Sequence, residues 1–344
     1  MIVNYPPHIS GYHYEKEFNE CLPSDKQILV IHLKSATFEL GMPELIKALT
    51  ATAGQHYDIA MLYLYGESPP VSFWRTASNI IKTCYGIEHV AVADHGVPVE
   101  DPDFIQIPFT LLDLFPNDRP LIASDRQYHF CSLNRSARPE RVRLVNHFNN
   151  FNILDKGIVS LGSDGVPFPY NEIPDPVFAN QMPLLIDELG TDRQKSTYEA
   201  IPLSVKQSII NVVAEGTAVQ VGVHTVEDTY IRPLVSEKTT KAFVYNQFPI
   251  WLATPGFVEN LRKRGFDVFD DLIDHSYDSE LLSVKRIEMV AHEVKKLVDL
   301  GIEPLRELVQ QHWSRLEYNK HRCIQVAQTD TTQAKKRLRR ISRG

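Results

Sequence analysis

The chain has 344 residues, 43% of them hydrophobic and 23% charged, the balance of a folded globular protein of about two domains rather than a fibrous, disordered or disulfide-built one. No apolar run approaches the ~20 residues of a membrane-spanning helix, and the opening MIVNYPPHISGYHYEKEF has neither the basic nor the apolar region of an export signal. Charge is segregated: six of the 36 lysines and arginines (Lys335, Lys336, Arg337, Arg339, Arg340 and Arg343) follow residue 334 with no acid among them, leaving 30 against 43 aspartates and glutamates before them. The four cysteines, Cys21, Cys84, Cys131 and Cys323, have no paired spacing. Neither a zinc site nor a disulfide framework is therefore expected, and a cytoplasmic location is.

In chain order, QILVIHL (27–33) predicts a buried strand, Pro43–Thr52 a helix opened by its proline, and IAMLYLY (59–65) a strand. Phe73–Cys84 predicts a helix and HVAVAD (89–94) a third strand. The stretch Pro98–Pro120, rich in proline and aspartate, reads as irregular structure that closes a first domain over residues 1–127. A second series follows: strand HFCSLN (129–134), helix Pro139–Phe151, strand GIVSLG (157–162) and a proline-rich loop of about 40 residues. After it come a helix over Ser204–Glu215, a strand AVQVGV (218–223), a helix opening at Ser236, a strand PIWLA (249–253) and a helix over Gly256–Arg264. The chain from Ser279 to about Val326 is helical in pattern, and residues 327–344 read as a flexible basic tail. Strand–helix alternation at this spacing makes parallel sheets. The expected fold is α/β: two Rossmann-like domains, 1–127 and 128–326, facing a cleft, with helices closing the second.

Three segments carry chemistry. LNRSARPER (133–141) sets up to three arginines, Arg135, Arg138 and Arg141, at a strand-to-helix turn, where backbone N–H groups and the helix dipole favour an anion and a guanidinium fork suits phosphate oxygens. Arginines that merely decorate a helix start are the plainer alternative, but basic side chains there oppose the dipole. The second segment runs from Tyr230 into Ser236-Glu237-Lys238, with Lys241 a turn further on. Ser236 is a candidate N-cap, Lys238 a point charge for a diphosphate and Glu237 an acceptor for ribose or sugar hydroxyls; a capped surface helix explains the same residues. In the third, Ala253-Thr254-Pro255-Gly256-Phe257 follows a strand, and Gly256 allows either a ligand to approach the backbone or a tight turn. For a general base, the loop after the third strand offers Asp94 and His95, with Asp125 behind them; His224 is a further candidate contact.

Taken together, these segments resemble one family. The Tyr230…Ser236-Glu237-Lys238 element, the Pro-Gly turn and the stretch from Leu261 to Asp278, of the form LRxxGFxxFxxxxDxSYD, look like the nucleotide-sugar half of a group of glycosyltransferases found in phage and bacterial genomes. LNRxxRPxR followed by ILDKGIVSLG (153–162) belongs to the same pattern. The second element is also similar to the Y-x-T-E-K signature of fucosyltransferases of the two-Rossmann GT-B fold, with a longer spacing between Tyr230 and Ser236. The likeness covers residues 129–278. It implies a metal-independent GT-B transferase whose donor is a UDP- or GDP-linked sugar. Arg135, Arg138 and Lys238 would then neutralise the diphosphate and Glu237 would bind hydroxyls, with Tyr230, Ser236, Lys241 and Gly256 lining the donor site. The acceptor stays open between hydroxymethylated bases of DNA, which the basic end would help to hold, and a surface glycan, lipid or protein. A non-catalytic nucleotide- or nucleic-acid-binding protein on the same scaffold, or an assembly protein acting through its helical end, also fits the composition.

Overall fold

The computed structural model describes residues 2–3, 27–33, 38–64, 71–94, 105–108, 121–134, 136–162, 173, 175–184, 203–215 and 237–341. They form two compact units. The first takes in the elements up to Pro108 and the chain from Gln325 onward; the second takes in the elements from Leu121 to Ile324.

In the first unit, β1 (Ile2–Val3), β2 (Ile28–Leu33), β3 (Ile59–Leu64), β4 (His89–Asp94) and β5 (Ile105–Pro108) form one parallel sheet in chain order. Helix α1 (Phe38–Ala51) joins β2 to β3, and α2 (Val71–Tyr85) joins β3 to β4. Alternation along the strands puts Leu29, Ile31, Leu33, Ala60, Leu62, Val90 and Val92 into one core with Leu45 and Leu49 of α1 and Phe73, Trp74 and Ile81 of α2. Two expectations are corrected here. Pro43 lies inside α1 rather than opening it. The Pro98–Pro120 stretch, expected to be irregular, supplies β5, whose last residue is Pro108, and a strand end tolerates proline.

The second unit holds a four-stranded parallel sheet of β6 (Tyr128–Asn134), β7 (Gly157–Leu161), β8 (Ser208–Ala214) and β9 (Phe248–Leu252), ordered β7-β6-β8-β9. Its helices are α3 (Pro139–Asn150), the single turns α4 (Pro176–Ala179) and α5 (Leu203–Lys206), α6 (Glu237–Val244) and α7 (Phe257–Lys263). Then come α8 (Ser283–Val298), which packs on α3 and β9, α9 (Ile302–Gln311) and α10 (Trp313–Ile341). The helix expected over Ser204–Glu215 is instead the turn α5 followed by the central strand β8. Its run Ile209, Ile210, Val212, Val213 is β-branched and buried, as a strand covered on both faces requires. The final helix does not stop near Val326 but continues to Ile341. The expected strand 218–223 lies outside the described residues. Among the described residues, no helix is long and apolar enough to cross a membrane.

Candidate functional site

The strand order of the second sheet reverses direction between β6 and β8. The chain leaves β6 for β7 on one side and returns to β8 on the other, so the carboxyl ends of β6 and β8 form a topological switch point, where open parallel sheets take their ligands. The start of α3 lies beyond β6 and the start of α7 beyond β9, while α6 enters from the residues that follow β8. Side chains tie this edge together. Arg141, in the first turn of α3, donates from Nη1 to Ser136 O and from Nη2 to Ala214 O at the end of β8, both at 3.3 Å. Thr239, in the first turn of α6, donates from Oγ1 to Glu215 Oε1 at 2.6 Å. Glu215 N in turn bonds Leu252 O of β9 at 3.0 Å. The starts of α3 and α6, bearing Arg138 at the N-cap and Lys238 in the first turn, are thus both anchored to the end of one strand.

Arg138 is the half-buried N-cap residue of α3, with extended backbone and no side-chain cap bond. Lys238 is half-buried at the second position of α6, and Lys241 is half-buried one turn on. Glu237 begins α6. Arg135, Tyr230, Ser236, His95 and His224 lie outside the described residues. Asp94 is the last residue of β4, in the first unit, paired with Pro108, and Asp125 sits in a short turn before β6.

Several groups at this edge escape a reading of the sequence. Glu215 is almost fully buried, as is Glu140 in the first turn of α3, beside Arg141, which the arginine segment already contained. The signal for Glu215 was an acid placed directly after seven residues of buried strand, hidden by the helical reading of that segment. Asn134, the last residue of β6, is fully buried; its Nδ2 donates to Ser132 Oγ at 3.0 Å, and its Oδ1 has no partner among the described residues. Thr254, just beyond β9, is buried with an unpartnered Oγ1. Two orphaned polar atoms at the carboxyl edge of one sheet each carry a desolvation cost of about 1–3 kcal/mol, which a ligand or water bonded there would relieve.

The third segment forms the start of α7. Gly256 has φ +78°, a left-handed turn that glycine adopts freely, and open space lies where a Cβ would stand. The amides beyond it are occupied: Val258 N donates to Asp278 Oδ1 and Glu259 N to Asp278 Oδ2, both at 3.0 Å, so Asp278 caps α7. Gly265, at φ +80°, ends α7 in a Schellman turn with Gly265 N on Arg262 O and Phe266 N on Leu261 O. Tyr277 is buried, and its hydroxyl meets His275 Nδ1 at 2.8 Å, while His275 Nε2 meets Val268 O at 2.7 Å. In the ILDKGIVSLG stretch, a Cβ on Gly157 would stand 2.5 Å from the Phe130 ring. Much of the pattern that carries the family likeness therefore builds helix ends and core contacts. A pocket of about 490 Å³ opens beside this scaffold, lined by Arg262, Asp270, Asp274, His275 and Lys296. Both of its cations are paired: Arg262 with Asp270 and Glu259, and Lys296 with Glu293.

Compared with known proteins, the chain matches no family model, no curated protein and no solved structure.

Proposed function

We propose that this protein is a GT-B glycosyltransferase that binds a nucleoside-diphosphate sugar at the carboxyl edge of the β7-β6-β8-β9 sheet and transfers the sugar to a hydroxyl acceptor. The observation that carries the reading is the anchoring of two helix starts, each bearing a cationic residue, to the end of β8 at a topological switch point. The orphaned Asn134 Oδ1 and Thr254 Oγ1 at the same edge support it, since they call for a polar occupant. In this mechanism Arg135, Arg138 and Lys238 neutralise the diphosphate as it leaves. Charge developing on the leaving group meets fixed cations and helix dipoles, so no metal ion is needed for that role. Glu237 accepts from ribose or sugar hydroxyls, and Tyr230, Ser236, Lys241 and Gly256 complete the donor site. Asp94, the last residue of β4, or His95, which follows it in sequence, takes the acceptor proton. The acceptor of this proposal is a hydroxymethylated base in DNA.

Thermal unfolding in the presence of UDP- and GDP-sugars tests the donor site. A donor at about 100 times its dissociation constant adds ~2.7 kcal/mol of stability and raises the midpoint. A midpoint unmoved by every nucleotide and nucleotide sugar would remove the proposal. Release of free sugar or transfer to acceptor DNA, followed with the donors that shift the midpoint, tests the transfer itself.

A further inference from the structure

We propose that the basic end of α10 is a contact surface for the phosphate backbone of duplex nucleic acid. The inference goes beyond the transfer reaction and does not depend on it. Five of the six clustered cations, Lys335, Lys336, Arg337, Arg339 and Arg340, fall within the helix that runs to Ile341, so they are carried on a rigid rod rather than on free coil. At 100° per residue, positions 335 and 339 stand one above the other, and positions 336 and 340 form the adjoining row. Lys336 and Arg339 are exposed, and Lys335 and Arg337 are half-buried. Like charges four residues apart oppose a helix by about 0.2–0.5 kcal/mol per pair, a cost that an anionic partner reverses. The helix dipole returns part of it, because cations suit a helix C-terminus.

Nucleic acid fits this surface better than a membrane does. Among residues 328–341 the only large apolar side chains are Leu338 and Ile341, with no aromatic residue, whereas a helix that lies in a bilayer interface needs a continuous apolar face. The rest of the chain carries 30 basic against 43 acidic residues, so a broad anionic plane would repel most of what it faced; a narrow polyanion can engage the helix locally. Lys335, Arg337 and Arg339 also engage groups of their own chain. A phosphate exchanges with those groups, so fewer than six new contacts are expected.

The test uses the full chain and a fluorescent duplex of about 30 base pairs, titrated from about 50 to about 300 mM salt. Each phosphate neutralised contributes ~0.9 to the slope of log affinity against log salt. Replacing all six cations with glutamine, which keeps helix propensity, is expected to flatten the slope by about 2 to 4. The pair K336Q/R339Q is expected to flatten it by about 1 to 2, and decides the matter if circular dichroism shows that the sixfold variant has lost its fold. Parallel slopes for wild type and a folded variant, or no duplex binding by wild type at about 50 mM salt, would overturn the proposal. So would cation-dependent binding confined to phosphatidylcholine vesicles with about 30% phosphatidylserine, which would make the surface a lipid contact.

Discussion

Arg126 is buried at the amino edge of the second sheet, where its guanidinium donates to the carbonyls of Leu121, Lys206, Ser208, Tyr245 and Asn246 at 2.6–3.1 Å. Burial lowers its pKa to about 10, which leaves it a cation at neutral pH. Four of those oxygens come from residues 80 to 120 positions away, so nothing local in the sequence marks this arginine as structural. Arg126→Met strands several carbonyls, although Ser208 O keeps a second donor in Gln247 Nε2. A loss of about 3 kcal/mol or more is expected in urea unfolding, with Arg126→Lys recovering part; an unchanged midpoint would contradict the role. At the opposite edge, Thr239 is matched to the buried carboxylate of Glu215. Thr239→Val is expected to cost about 1.5–3 kcal/mol, because it removes a hydrogen bond to a charged group, and Thr239→Ser should stay near wild type. A Thr239→Val protein as stable as wild type would show that Glu215 does not need this donor.

The helices α3, α6 and α7 end alike. Asn152, Asn246 and Gly265 each take a positive φ one residue past the cap, and each helix closes with the paired bonds of a Schellman turn. Asparagine and glycine suit these positions because both residue types tolerate the left-handed region. Gly265→Ala is expected to destabilise by about 1–2 kcal/mol, and its Cβ would also crowd Arg322 Nη2 at 3.1 Å; thermal unfolding measures the cost. The start of α6 is where stability and binding separate. Lys238→Ala should weaken binding of a nucleoside diphosphate and of its sugar conjugate alike. Glu237→Ala should weaken the sugar conjugate more, because a carboxylate accepts from hydroxyls and repels phosphate. Calorimetric titrations giving equal losses for both ligands with both variants would point instead to a damaged helix, which circular dichroism detects.

Acid should weaken the second unit as a whole. Burial lowers the pKa of His129, His147 and His275, each with an ordinary value of 6.5. Near that pH the unfolded chain takes up protons that the folded chain refuses, so the stability these residues contribute is full above about pH 6.5 and is lost as pH falls through it to the folded values. His147 lies where α3 meets α8: its ring is 5.9 Å from that of Phe151, which in turn packs against His292. Urea midpoints are expected to fall between about pH 7.5 and 5, and His147→Gln should make that fall shallower. At lower pH, Asp270 and Asp271 follow. Their bonds from Arg262 and Arg315 hold their pKa values below the ordinary 3.8, so their contribution is present above that value and disappears beneath it. A midpoint that rises on acidification from neutral pH would contradict the histidine assignment.

Local chemistry was enough to read the strand–helix alternation, the parallel sheets, most strand positions and the helical final third, because apolar periodicity and turn residues act over a few positions. It also singled out Arg138 and Lys238 as helix-start cations. It misread 204–215, where β-branched residues that suit a central strand also fit a helical period, and only pairing with β6 and β9 makes β8 a strand. The stretch Leu261–Asp278, which carries part of the family likeness, caps α7 and fills the core, a role fixed by neighbours close in space but distant in sequence. The order β7-β6-β8-β9, and with it the edge where Arg141 and Thr239 are tied to the end of β8, was decided by the tertiary structure alone. Strand order depends on which buried faces and ladder edges satisfy one another across the whole unit, and no short window of sequence contains that information.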